Sequence, residues 1–283
     1  MGRNGAVGSA GLAVGGSNVT SVGVDGTDTI GPAMSPSLHR LLTSPGRFSV
    51  LMLAVMVVGL GLDHFTSLGW QIVLSVCTWV ILFVVCIPLS AEQRSRTAVV
   101  VIVATIGEII GSIIWGAYTY RLGPGNLPLF VPPGHGLVYL TGLRISQTEF
   151  VREHRTTFIR LVLTAIGVWG VLGLSGLLGR YDVAGAIGCV TLAAFIIFSR
   201  RGSTLYAGVF VAVAVLEIYG TAIGTWFWEA EVPGLGVGNG NPPSGAASGY
   251  VLFDICALAF GPRLLAMVRR VRRPVLADAA PEA

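Results

Sequence analysis

Two stretches of this sequence set a carboxylic acid among residues that otherwise belong in oil. "GEIIGSIIWGAYTYRLG" carries Glu108 and "LEIYGTAIGTWFWEAE" carries Glu217. An acid near the middle of a membrane span costs roughly 2.5–3.5 kcal/mol on insertion scales, so it normally faces a cavity or a partner. Held there, Glu108 and Glu217 are candidate general acids; a purely structural hydrogen-bonding role is the alternative. Asp254, in "GYVLFDICAL", is either a third member of the same site or the partner of a polar group on a neighbouring helix. His135 follows Pro132-Pro133-Gly134 at a helix start, where a neutral imidazole can act as a base and an interfacial histidine is the plainer reading. The candidate catalytic set is therefore Glu108, Glu217, Asp254 and His135.

Trp115, Tyr118, Tyr120, Trp226 and Trp228 follow the two acids. Singly, each reads as a membrane-interface anchor. Together they can wall an aromatic pocket that stabilises a cation, which makes them candidate substrate-binding residues. Asn126 and Asn241, each shortly ahead of proline, read first as turn residues and second as ligands. Neither the histidines nor Cys77, Cys86, Cys189 and Cys256 are spaced as metal ligands, and the cysteines read as small packing residues. No metal or cofactor is expected. "GLGVGNG" at 234–240 follows no strand and carries no lysine, so it is not a nucleotide-binding loop. Asp63-His64 reads as ordinary solvated loop.

The elements that must hold these residues are membrane helices. Of 283 residues, 53% are hydrophobic and only 11% charged, and the mean hydropathy is +0.76, which excludes an ordinary soluble domain. Apolar segments fall at about 48–63, 69–89, 97–118, 134–147, 157–178, 183–199, 203–228 and 245–268, the first and fourth being short for a span. The basic residues are all arginine and gather at alternate boundaries: Arg40 and Arg47, Arg94 and Arg96, Arg144 to Arg155, Arg200 and Arg201, and the run from Arg263 to Arg273. By the positive-inside rule both termini are cytoplasmic, and this arrangement is no nucleic-acid footprint. Residues 1 to about 40 lack any periodicity that would bury a face and are expected to be disordered. The Asn18 sequon then lies on the cytoplasmic side, and neither a signal peptide nor a myristoylation signal is visible.

The two acid-bearing stretches also resemble each other. Glu108 and Gly111 match Glu217 and Gly220 at one offset, and in both copies a loop rich in Pro, Gly and Asn follows before the next helix. The expected organisation is a cytoplasmic segment 1–40, two similar four-helix parts at 41–155 and 156–270, and a cytoplasmic tail 271–283. On a helical period Glu108, Gly111, Ser112 and Trp115 share a face, as do Glu217, Gly220, Thr221, Gly224 and Trp228. Gly107-xxx-Gly111 and Gly220-xxx-Gly224 are spaced for close helix contact, within the chain or between subunits.

Residues 108–123, "EIIGSIIWGAYTYRLG", resemble the Glu-x-x-Gly … Gly-x-Tyr-x-Tyr … Leu-Gly motif of the membrane carotenoid-biosynthesis proteins that include the bisanhydrobacterioruberin hydratases. Glu108, Gly111, Gly116, Tyr118, Tyr120, Leu122 and Gly123 fill the motif, although the stretch between the first glycine and the tyrosines is shorter and lacks the Thr-Gly found there. The resemblance implies acid-catalysed addition of water to an isoprenoid double bond, with Glu108 as the proton donor.

The expected protein is thus an all-α polytopic membrane protein of eight helices in the cell membrane. Three functions compete: a cofactor-independent hydratase or cyclase acting on a membrane lipid or isoprenoid, a proton-coupled transporter, and an accessory subunit that packs through its glycine faces. The transporter is favoured by repeats with paired acids, and the subunit would tolerate loss of a single acid.

Overall fold

The computed structural model describes residues 35–277 of the chain. The order is α1 (Pro36–Thr43), α2 (Pro45–Phe65), α3 (Leu68–Cys86), α4 (Ala91–Glu108) running into a π-helical turn (Ile109–Ile114), and β1 (Tyr118–Tyr120). After a short 3-10 turn come α5 (Val131–Ser146), α6 (Glu149–Glu153), α7 (Arg155–Leu174), α8 (Val183–Phe198) and α9 (Ser203–Ala222). Strands β2 (Trp226–Trp228), β3 (Glu231–Val232) and β4 (Val237–Gly238) then lead to α10 (Ala247–Ala277). Six of these helices, α2, α3, α4 with its π turn, α7, α9 and α10, are long and apolar enough to cross a membrane. Helices α5 and α8 have 16 residues each and fall short of that length.

Several boundaries differ from the sequence expectation for identifiable reasons. The leader expected to be disordered to about residue 40 lies outside the described residues up to 34, but Ser35 caps α1 and Pro36 opens it, so order begins earlier. The first apolar segment is no short one, because α2 extends from Pro45 at its first turn to 21 residues. Ser90 and Gln93 form a reciprocal capping box that starts α4 before its apolar run. Most consequential, Tyr118 and Trp226 to Trp228 do not continue their helices. They form an antiparallel pair, Tyr118 opposite Trp228 and Tyr120 opposite Trp226, so Trp228 shares no helix face with Glu217. The expected tail begins within α10, which runs to Ala277, and its remainder lies outside the described residues.

Helices α4, α5, α9 and α10 form a ring in which each packs on the next. The α5–α9 crossing is closest where Gly142 meets Gly208: a Cβ on Gly142 would lie 2.7 Å from the Val209 backbone nitrogen. Absent side chains at both positions let the two backbones touch. Helix α8 meets the start of α10 the same way, through Gly185, Gly188 and Gly245. Outside the ring, α7 and α8 pack on α9, whereas α2 and α3 pack on α5 and hardly touch α4. The outer side of α4 therefore exposes Ile102, Ile106, Ile110 and Ile114, a surface suited to hydrocarbon.

Candidate functional site

Both acids are delivered by the last turns of ring helices, and the chain then folds back over them. Gly116 at φ 70° and Gly224 at φ 74° adopt the left-handed conformation that reverses each helix into its strand. The strands are clamped at both ends by matching bonds, Arg121 N–H to the Thr225 carbonyl at 2.9 Å and Glu229 N–H to the Ala117 carbonyl at 3.0 Å. One copy has an extra residue between acid and glycine, and the π turn of Ile109–Ile114 absorbs it.

This fold-back lays four aromatic side chains onto two carboxylates. The Tyr118 and Tyr120 hydroxyls each donate to Glu108 Oε2 at 2.9 Å, and the Trp226 and Trp228 indoles each donate to Glu217 Oε2 at 3.1 Å. Each acid meets a further partner at its other oxygen: His135 Nε2 lies 3.3 Å from Glu108 Oε1, and the Tyr250 hydroxyl donates to Glu217 Oε1 at 3.4 Å. His135 and Tyr250 stack on each other at 4.9 Å, while Tyr118 packs against Trp228 at 4.5 Å, so the two stations share their walls.

The stations nevertheless differ in what they can do with a proton. An indole N–H only donates, so Trp226 and Trp228 can serve Glu217 only as an acceptor, which suits the ionised carboxylate. A phenol both donates and accepts, so the tyrosine pair accommodates Glu108 with or without its proton. Burial first, and the Glu108 carboxylate second, push both phenols well above their ordinary range, so they remain neutral. His135 Nδ1 lies 3.0 Å from the Val131 carbonyl, which can only accept, so Nδ1 carries a hydrogen. Nε2 then faces Glu108 Oε1 with no other partner, and one proton placed between them would serve both.

The carboxylates open on one cavity of about 340 Å³, lined chiefly by apolar side chains. Glu108, Glu217, His135, Trp115, Tyr118, Tyr120, Trp226 and Trp228 all line it. Asp254, Asn126 and Asn241 do not. Asp254 is buried one turn beyond Tyr250 along α10, and its Oδ2 has no hydrogen-bond partner among the described residues. The asparagines do the work of turns: Asn126 Oδ1 accepts from Tyr120 N–H at 2.8 Å and Asn241 Oδ1 from Trp228 N–H at 2.9 Å, which fixes the two strands. Trp115 lines the cavity and donates from Nε1 to the Pro233 carbonyl at 2.9 Å, tying down the turn between β3 and β4. Among the described residues no three His, Cys, Asp or Glu side chains converge as a metal site.

Three residues escaped the sequence reading. Tyr250 stands nine residues after Asn241 as His135 stands nine after Asn126, a spacing that could have paired them. Asp63 is buried rather than a solvated loop residue, because Gln71 Nε2 donates to its Oδ1 at 2.9 Å and Arg121, at the end of β1, sits beside it. Asp182 is buried too and accepts from the backbone N–H groups of Gly185, Gly240 and Ser244 at 2.9, 2.8 and 2.6 Å. Asp182→Ala leaves those donors without a partner at roughly 1–3 kcal/mol each, so thermal unfolding in detergent should shift down sharply. An unchanged transition would show that water replaces the carboxylate. No family model matches this chain, and neither a curated protein nor a solved structure matches it.

Proposed function

We propose that this is an integral membrane enzyme that protonates a carbon–carbon double bond of a lipid or isoprenoid, with Glu108 as the acid. The observation that carries the reading is the Glu108–His135 pair, placed to share one proton and facing an apolar cavity. Proton transfer from Glu108 to one alkene carbon leaves the other as a carbocation. Tyr118, Tyr120, Trp226 and Trp228 line that cavity, so their rings would shield the cation, and Glu217, held as an acceptor by its indoles, would supply the opposite charge. Water adds to the cation and returns a proton to Glu108 or His135, giving a net hydration; loss of a neighbouring C–H proton to the same pair instead gives an isomer, and attack of a second double bond of the substrate on the cation before that loss gives a ring. The likeness of residues 108–123 to the bisanhydrobacterioruberin hydratases points to the first outcome.

The same proposal takes the chain as eight spans in the cell membrane with both termini cytoplasmic, built from a duplicated four-helix unit. Support comes from the arginine pattern and from the paired acids, reversing glycines, asparagines and last-helix aromatic rings described above. It puts the strands and the carboxylates toward the outer leaflet. A proton-coupled transporter is the second reading, favoured by Asp254, whose unpartnered oxygen one turn below the site would be a further proton station. The accessory-subunit reading loses ground because Gly107, Gly111 and Gly220 face Phe253, Tyr118 and Trp226 of the same chain.

The test compares membrane lipid and pigment extracts, by mass spectrometry, from cells lacking the protein and cells carrying the native chain or Glu108→Gln with Glu217→Gln. A species differing by water, or by isomerisation, restored by the native chain alone would support the enzyme. Identical extracts in all three would sink it and turn attention to proton-coupled uptake in vesicles.

A further inference from the structure

The cavity has an asymmetric wall. Helices α7 and α8 both pack on α9, but α2 and α3 make no comparable contact with α4 and lean on α5 instead. A gap floored by α5 is left between α3 and α4. Leu74, Thr78 and Ile81 line the cavity from the α3 side and Gly107 and Gly111 from the α4 side, all half-buried. At the end of the gap remote from the strands, Leu82 of α3 and Val101 of α4 converge over Gly136, each with an atom 3.0 Å from where its Cβ would be. The opening is therefore closed at that end, and at the strand end Gln71 Nε2 donates to the Leu122 carbonyl at 3.3 Å, which leaves it at the level of Leu74 to Ile81.

We propose that this gap is the lateral entrance by which one end of a membrane-resident hydrocarbon chain reaches Glu108 and His135 from the bilayer. The inference rests on the enzyme reading given above and names how its substrate arrives. The α3 wall carries no ionisable group: Leu74, Thr78 and Ile81 line it, Thr78 Oγ1 donates to the Leu74 carbonyl at 2.8 Å, and the stretch covers about 10 Å along the helix at 1.5 Å per residue. The cavity meets the α3–α4 gap at half-buried residues, so a chain longer than the cavity leaves its remainder in the gap and the lipid beyond. Gly107 of α4 and Gly111 of the π turn make room for Phe253 and Tyr118, whose nearest atoms lie 2.8 and 2.9 Å from where a Cβ would stand, so a side chain at either would displace those cavity-lining rings.

The experiment uses the full chain in nanodiscs with two photoreactive geranylgeranyl hydrocarbons, one carrying a diazirine on its terminal isoprene unit and one at mid-chain. Cross-linked peptides are mapped by mass spectrometry. The terminal probe should mark the segments around Thr78 and Gly111, and Thr78→Trp should lower that labelling at least tenfold. Val190→Trp, on the exposed face of α8, should leave it unchanged. Leu74→Phe, a smaller change, should lower labelling in part and guards against a folding defect in the tryptophan variant. Equal labelling in Thr78→Trp, Leu74→Phe and native protein, or labelling spread over the exposed face of α8 as strongly as over the gap, would overturn the entrance. Labelling needs no turnover. Gap labelling with unchanged extracts would sink the enzyme and keep the entrance, whereas altered extracts without gap labelling would sink the entrance alone.

Discussion

Glu108→Gln should reduce conversion of the substrate identified from extracts by about 100-fold or more, the scale of losing a positioned proton donor. Glutamine has nearly the same shape, and its amide oxygen still accepts from the Tyr118 and Tyr120 hydroxyls that hold Glu108 Oε2. It cannot release a proton to an alkene, however, nor share one with His135 Nε2. Folding should therefore survive while chemistry fails, and thermal unfolding should move little. Glu217→Gln should be the milder variant, because the amide oxygen keeps both indole hydrogen bonds and only the charge opposite the cation is lost. Full activity in Glu108→Gln, or a greater loss in Glu217→Gln, would reverse the roles assigned to the two acids.

Gly142→Leu should abolish accumulation of folded protein, and Gly142→Ala should destabilise it strongly. Even a methyl group there would stand 2.3 Å from Val209 Cγ2 and 2.7 Å from the Val209 backbone nitrogen. A side-chain contact can yield by a rotamer change, but a backbone contact yields only if α5 and α9 move apart. Overpacking of this kind costs typically 1–3 kcal/mol or more. These two helices carry His135 and Glu217, so separating them also pulls the stations apart. Gly134→Ala, on the same helix with open space where its Cβ would lie, is the control and should behave as native. Equal yields and equal unfolding midpoints for Gly142→Ala and Gly134→Ala would show that the crossing is slack.

The acids and their aromatic neighbours were legible in the sequence because each is an exception to its surroundings: a carboxylate among isoleucines, or a run such as "WFW" beside a membrane span. Their arrangement was not. Strands of three residues appended to apolar helices give periodicity too little length to register, so Tyr118 and Trp228 read as helix ends. The feature that separates them is the left-handed glycine after each helix, Gly116 and Gly224, which sequence alone does not distinguish from packing glycines. The π turn left only a one-residue mismatch between the two copies. Asp63 was misread and Asp182 passed over for another reason. Acids beside loops are usually solvated, and what buries these two comes from far along the chain: Arg121 for the first, Gly240 and Ser244 for the second. Asp254 was visible as an exception, but one turn of α10 decides whether such an acid reaches the cavity, and its depth was not fixed by periodicity.

Helix α5 has a consequence for how the molecule is made. It contacts α2, α3, α4 and α9, yet it has only 16 residues, with the polar His135 and Thr141 both buried. A segment that short and that polar is a poor candidate to leave the translocation channel for lipid by itself. Helices α2, α3 and α4 precede it in synthesis, and Glu108, which lies 3.3 Å from His135, is already on α4 when α5 emerges. On the eight-span proposal, insertion of α5 and pairing of Glu108 with His135 are one event during biogenesis, so variants that remove one member of the pair outright, unlike Glu108→Gln with its like-shaped amide, should be sought among unstable nascent chains as well as among inactive mature ones.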